Sequence, residues 1–234
     1  MQKMKMLNFR SEVRPDSDTD DLYIFDEIGE FKWGDDWEGW GPERLREELA
    51  TCPHNKLTVH LSSNGGSTFQ GVAIHNMLKA TGKEITISIE GLAASAASFI
   101  AMAGDHIKMG TASMLMIHNC WTIAMGNSKD FRKLADDMDK IMVGQKEVML
   151  QRSGGKVTAE KLDELLEAET YLTAKECMEY GWCDEIVDAP QEEPEEKADE
   201  PVMETTAEIK SEEKPEVENT PDIEPKTKSF WDFF

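Results

Sequence analysis

The stretch Gly91-Leu-Ala-Ala-Ser-Ala-Ala-Ser-Phe99 decides the reading of this 234-residue chain. The β-rich run Ile85-Thr-Ile-Ser-Ile-Glu90 leads straight into it, and a short apolar helix is expected over 96–103. Ser95 therefore falls at a strand-to-helix junction, walled by Ala93, Ala94, Ala96 and Ala97. Side chains this small let another backbone come close. A helix N-terminus has unpaired N–H groups and the positive end of the peptide dipole. A serine there can face a substrate and stand beside donors for an oxyanion. The same residues would also suit a small-residue helix packed in a core, so other elements must decide.

Met114-Leu-Met-Ile-His-Asn119 reads as a buried strand ending in a polar pair. His118 at its end can reach a nucleophile on a neighbouring element, and a neutral imidazole accepts a hydroxyl proton near neutral pH. His54, His60, His75 and His106 read as surface or structural histidines. Leu61-Ser-Ser-Asn-Gly-Gly-Ser67 follows the strand 57–61 and precedes a helix at 68–80. Its paired glycines permit positive φ and close backbone approach, and their N–H groups can line an anion pocket. Taken singly, this loop is also a plain tight turn.

Together the three segments resemble the Clp-type (ClpP) serine peptidases, over about residues 22–188. The family's order is a Gly-Gly oxyanion loop, then Gly-x-Ala-Ala-Ser with the nucleophile, then Met-Ile-His with the base. Here these are Asn64-Gly65-Gly66, Gly91-Leu92-Ala93-Ala94-Ser95 and Met116-Ile117-His118. The segment Tyr171-Leu-Thr-Ala-Lys-Glu-Cys-Met-Glu-Tyr-Gly-Trp-Cys-Asp-Glu-Ile186 is similar to the family's closing segment. The resemblance implies Ser95 as nucleophile, His118 as general base, and the N–H groups of Gly66 and Ala96 as oxyanion donors, with Gly65 beside them. Where the family has an Asp as third triad member, this chain has Glu169, one methylene longer. Asp163 and Glu167 are nearby carboxylates on what reads as an exposed helix face. The loop Ser62-Ser63-Asn64-Gly65-Gly66, the start Leu22-Tyr-Ile-Phe-Asp-Glu-Ile-Gly29 and the run Glu-Thr-Tyr-Leu-Thr-Ala at 169–174 are similar to the phage-encoded capsid (prohead) maturation branch.

The implied fold is α/β, a ClpP/crotonase-like spiral of repeated β-β-α units with a long protruding handle helix. Strands are expected at 23–28, 57–61, 85–90, 106–109 and 114–118. Helices are expected at 42–50, 68–80, 96–103, 128–152, 159–167 and 174–180. Their alternation implies parallel strands with right-handed crossovers. Thr173-Ala-Lys-Glu176 is a capping box for the last helix. The 128–152 helix has apolar residues at helical spacing; the resemblance makes it the handle through which two rings dock, with Met138, Met142 and Met149 as an adaptable surface.

The implied activity is peptide-bond hydrolysis on a polypeptide substrate, with no metal or cofactor. It implies a homo-oligomeric ring, usually a heptamer stacked into a tetradecamer. A Clp-type ATPase or a capsid or scaffold protein would be the partner; the chain itself has no Gly-x-x-x-x-Gly-Lys-Ser/Thr loop. Two other classes share features with this reading. One is a crotonase-type acyl-thioester enzyme, which does not need the serine. The other is a non-catalytic ring or scaffold subunit.

The resemblance implies a peptidase-like domain at 22–189 after an N-terminal segment at 1–21, and composition marks 190–234 as an acidic tail expected to be disordered. From Pro190 onward there are six of the nine prolines and 15 acidic residues against 5 lysines. Such a segment cannot support a packed core, though it closes on Ser229-Phe-Trp-Asp-Phe-Phe234. A net charge of −22 argues against nucleic acid as the main partner. Cys52, Cys120, Cys177 and Cys183 form no CxxC pair or metal spacing, which fits reduced thiols. No secretory signal pattern and no run long enough to span a bilayer are visible, so a cytoplasmic protein is expected.

Overall fold

The computed structural model describes residues 12–13, 17–29, 31–33 and 36–187. The acidic tail at 190–234 and most of the segment at 1–21 lie outside the described residues.

Glu12–Val13 (β1) runs antiparallel to Thr19–Ile24 (β2), and Phe31–Trp33 (β3) pairs with Asp36–Glu38 (β4) in a separate ribbon. Pro42–Leu49 (α1) starts on Pro42, whose missing N–H is no loss in a first turn. Lys56–Ser63 (β5) alternates strictly, with Leu57, Val59, Leu61 and Ser63 buried. Thr68–Ala80 (α2), capped by Ser67, carries the chain back to Glu84–Ala94 (β6), parallel to β5 with Val59 opposite Ile87.

At eleven residues, β6 is long enough to serve two neighbours. Ala96–Ala101 (α3) follows it after a single residue, and His106–Gly110 (β7) returns beside its first half, with Ile89 opposite Met109. Met114–Ile117 (β8) pairs with its second half, with Ala94 opposite Met116. This fork brings the end of β8 beside the residue after β6. Ser128–Ser153 (α4) begins with a reciprocal Asn127–Asp130 capping box and stops at Gly154 in the left-handed region. Ala159–Glu167 (α5) leads to Thr170–Thr173 (β9), antiparallel to β8 with Ile117 opposite Thr170. Ala174–Tyr180 (α6) carries the expected Thr173–Glu176 capping box, and Glu185–Val187 (β10) closes the sheet parallel to β7.

The result is a mixed α/β fold with a mainly parallel sheet, ordered β1-β2-β5-β6-β7-β10, with β8 and β9 branching from β6. Leu22, Val59, Leu61, Ile87, Ile89 and Ile107 point from the sheet into a core shared with Ile74, Leu78, Ala97 and Ile100 of the helices. Burial of each large aliphatic side chain stabilises the fold by roughly 1.5–3 kcal/mol. Among the described residues, no helix is long and apolar enough to cross a membrane.

Differences from expectation have local causes. The first long strand lies at Thr19–Ile24 rather than 23–28, because two aspartates hide its start. Asp20 is fully buried and accepts hydrogen bonds from His54 N (2.9 Å), with its other oxygen 2.6 Å from His54 Nδ1. A buried carboxylate is tolerable only when satisfied this way. The helix after Ser95 stops at Ala101, not at 103. Strands β9 and β10 were not foreseen; at four and three residues they carry too little alternation to read. The handle helix is found, but Met142 and Met149 are buried against the body, while its start, residues 128–133, is exposed.

Candidate active site

Ser95 sits alone between β6 and α3, at φ 54° and ψ −124°. A non-glycine residue in this conformation is strained, and it persists only where its surroundings over-determine it. Here they do. Ser95 N donates to Met116 O (2.9 Å) across the fork. Ser98 N (3.0 Å) and Ser98 Oγ (2.6 Å) both donate to Ser95 O. Ala93, Ala94, Ala96 and Ala97 are buried around the turn. The backbone thus turns sharply and presents the hydroxyl outward, the geometry of a nucleophile elbow.

His118, the residue after β8, approaches from the adjacent branch. Its Nε2 lies 2.7 Å from Ser95 Oγ. Burial pushes the His118 imidazole below its ordinary value, and the Glu169 carboxylate and the Asn119 backbone pull it partly back up. Burial disfavours the cation, so the ring is neutral near pH 7, the form able to accept a proton from the hydroxyl.

The Gly-Gly loop stands on the other side of the serine. Gly65 (φ 91°) is so close that a Cβ there would lie 2.5 Å from Ala94 O, 2.7 Å from Ser95 Cβ and 2.9 Å from Ala96 N. Gly66 (φ 142°) is bracketed by Ile28, whose N donates to Gly65 O (2.7 Å) and whose O accepts from Ser67 N (2.5 Å). Ser63 Oγ ties the base of the loop to Asp26 O (2.6 Å). Among the described residues, neither the Gly66 N–H nor the Ala96 N–H has a hydrogen-bond partner. Two free backbone donors on elements that touch beside Ser95 form an arrangement able to hold an oxyanion. The six-residue helix behind Ala96 is short, so the free N–H groups matter more here than the helix dipole.

Glu169 follows α5 and its C-cap Ala168, immediately before β9, at φ 48°. Pairing of β9 with β8 brings it towards the end of β8, near enough for its charge to act on His118. Its side chain is exposed, and among the described residues no hydrogen bond joins it to the imidazole. Of the alternative carboxylates, Asp163 pairs with Lys146 at 2.7 Å and Glu167 is exposed at the end of α5. The Cys120 thiol turns to Met138 O at 3.7 Å, and burial raises its pKa. It is therefore not a primed thiolate. Among the described residues, no group of three or more His, Cys, Asp or Glu is arranged to hold a metal ion.

A small cavity opens beside Ser95 and His118, and its walls were missed by sequence reading. Thr68 and Phe99 line it, and Met142, Gln145 and Met149 of α4 close one side. Their helical spacing was visible, but it pointed equally to a core face or to an interface.

Comparison with known proteins bears on the same segments. A family model described as Clp protease matches residues 48–190, more than half of the chain. An ATP-dependent Clp protease proteolytic subunit from Bacteroides fragilis is 26% identical over 137 residues, 58% of this chain and 65% of that protein. A second from another strain of that species is 26% identical over 137 residues, covering 61% of its own length. The ATP-dependent Clp protease proteolytic subunit 3 of Rhodococcus jostii is 26% identical over 153 residues, 63% of this chain and 75% of that protein. The chain thus spans somewhat under two thirds of the length of the first two relatives it matches. The matched region contains the Gly-Gly loop, the Ser95 turn, the His118 strand end and the closing β9–α6 segment, and the chain belongs to the Clp protease family.

Proposed function

We propose that the protein is a serine endopeptidase acting through Ser95 and His118. The observation that carries this reading is the 2.7 Å hydrogen bond between His118 Nε2 and Ser95 Oγ. His118 takes the Ser95 proton as the oxygen bonds to the scissile carbonyl carbon. The carbonyl oxygen becomes an oxyanion held by the Gly66 and Ala96 N–H groups. The C–N bond then breaks, His118 returns the proton to the leaving amine, and an acyl-Ser95 ester remains. Water, deprotonated by His118, releases the acid by the same route and restores the Ser95 hydroxyl. Glu169 acts through space, favouring the imidazolium that forms in both steps. A crotonase-type thioester reaction would leave the Ser95–His118 hydrogen bond without a task.

Substrates are polypeptides, and the working form is a closed ring of this chain. Exposed Trp121, Ile123 and Met125, followed by Phe131 and Val143 of α4, support association through this region. Met142 and Met149 do not contribute to such a surface, because the body of the same chain covers them. A Clp-type ATPase or a capsid protein is the proposed partner. The sequence features at 22–29, 62–66 and 169–174 favour the capsid-maturation role. A fluorophosphonate probe should label the wild type at Ser95 and fail to label Ser95→Ala. An unlabelled wild type that is folded and associated would overturn the serine-peptidase reading and favour a scaffold subunit.

A further inference from the structure

We infer that Gly71 is a positioning residue for the oxyanion donors: lacking a side chain, it lets α2 seat directly on Ala96 and so sets the separation of the Gly66 and Ala96 N–H groups. The inference rests on the peptidase reading above. The two donors belong to different segments, one to the loop before α2 and the other to the first residue of α3. The sheet does not fix their spacing by itself. The pairing of β5 with β6 shifts register between Leu61 and Ser63 and ends with Ser63 opposite Ala93. Both donors lie beyond that last pair, so contacts outside the ladder must hold them.

Gly66 is joined to α2 through Ser67. The Ser67 hydroxyl caps the helix by accepting from Gln70 N (3.4 Å), and its carbonyl oxygen accepts from Gly71 N (2.9 Å). The loop and the first turn of α2 are therefore one hydrogen-bonded unit, and this unit touches Ala96 twice. A Cβ on Gly65 would lie 2.9 Å from Ala96 N. A Cβ on Gly71 would lie 3.0 Å from Ala96 Cβ and 3.3 Å from Ala96 O. Ala96, itself buried, is thus clasped between two glycines of the same unit. Glycine inside a helix is disfavoured relative to alanine. Local preference therefore does not account for Gly71, whereas close approach does. One turn further on, the His75 ring packs on Phe99 at 4.5 Å between centroids. Gly71 and His75 share one stripe of α2, as Ala96 and Phe99 share one of α3, so the two helices meet at two levels. A methyl group added at Gly71 has to push Ala96 aside by a few tenths of an ångström. That displacement moves one donor relative to the other.

The test compares the full wild-type chain with Gly71→Ala, beside fluorophosphonate labelling of Ser95. Three probes are used: a fluorogenic peptide, a peptide boronic acid whose tetrahedral adduct places an oxygen at the donors, and the same peptide without the boronic acid as a plain competitor. Gly71→Ala should lower kcat by about tenfold or more, with KM within about twofold of wild type. It should weaken the boronic acid by a similar factor and leave the plain competitor unchanged. The acid limb of the pH profile, which reports His118, should not move. Adding Ala96→Gly keeps the N–H but removes the Cβ met at 3.0 Å, and should restore most of the lost kcat. Should Gly71→Ala not fold, His75→Ala removes the second contact between the helices and should give the same split between kcat and KM, by about threefold or more. Wild-type kcat and boronic-acid affinity in the folded variant overturn the inference and leave the peptidase reading intact. A parallel loss of competitor affinity also overturns it, in favour of a merely structural role. Absence of labelling in folded wild type overturns both.

Discussion

Ser95 and Glu169 are the two described non-glycine residues held at positive φ, at 54° and 48°, yet their surroundings differ throughout. The Ser95 turn lies inside the fold, with buried alanines around it, hydrogen bonds to Met116 and Ser98, and Gly65 pressed against it. The Glu169 turn lies at the surface. It is held by Glu169 N donating to Leu166 O (3.3 Å) and by Thr170 Oγ1 donating to Leu165 O (2.7 Å). The first turn fixes one atom against two neighbouring elements. The second brings a charge into range without fixing its direction. Positioning a nucleophile requires sub-ångström placement, whereas electrostatic bias on an imidazole tolerates a looser carboxylate.

That contrast can be broken most directly at its rigid end. Ser95→Ala should cut hydrolysis by at least about ten-thousandfold while leaving thermal unfolding nearly unchanged. Comparable activity in the purified variant would remove Ser95 from the mechanism. Gly65→Ala comes next. Its Cβ meets Ala94 O at 2.5 Å with the backbone at φ +91°, so activity should fall by about a hundredfold or more, as when an oxyanion donor is lost. An active, stable Gly65→Ala enzyme would mean that the loop does not pack on Ser95 as described.

At the looser end the expected effects shrink. Glu169→Gln removes a charge that raises the His118 pKa, while burial continues to lower it. The acid limb of kcat/KM, already below the ordinary histidine value, should therefore move to lower pH, with the plateau reduced by about tenfold. An unmoved limb would sever Glu169 from the base. The same depression bears on stability. The unfolded chain protonates His118 at higher pH than the folded one, so this contribution is full above the unfolded value and declines as pH falls towards the folded one. Glu169→Gly should relieve the positive φ and raise stability by about 1 kcal/mol in denaturant melts, while lowering activity as the Gln variant does. Asp163→Asn loses only a surface pair with Lys146, and hydrolysis should stay within about twofold of wild type.

How much of this was legible in the chain follows from the range of the forces involved. The patterns behind the strand expected at 57–61 and the helices expected at 68–80, 159–167 and 174–180 are local, and those elements appear there, the strand extending to Lys56–Ser63. The Ser95 junction was legible for the same reason: small residues and a strand-to-helix change lie within nine positions. The strand at 19–24 was obscured because the burial of Asp20 depends on His54, thirty-four residues away. The burial of Met142 and Met149 was obscured because any apolar helix face can meet a body or a partner.

The sequence by itself determined which residue types stand ready, Ser95, His118 and the glycine pair, and the order in which they occur. Local preference for strand, turn and helix acts over a few residues and needs nothing from the rest of the chain. Only the tertiary structure decided that β6 forks, that His118 thereby lies within hydrogen-bonding distance of Ser95, that Glu169 stays at the rim, and that α4 narrows the cavity. Each of those depends on packing between segments far apart in the chain, where side-chain volume and hydrogen-bond satisfaction, not local propensity, select the arrangement.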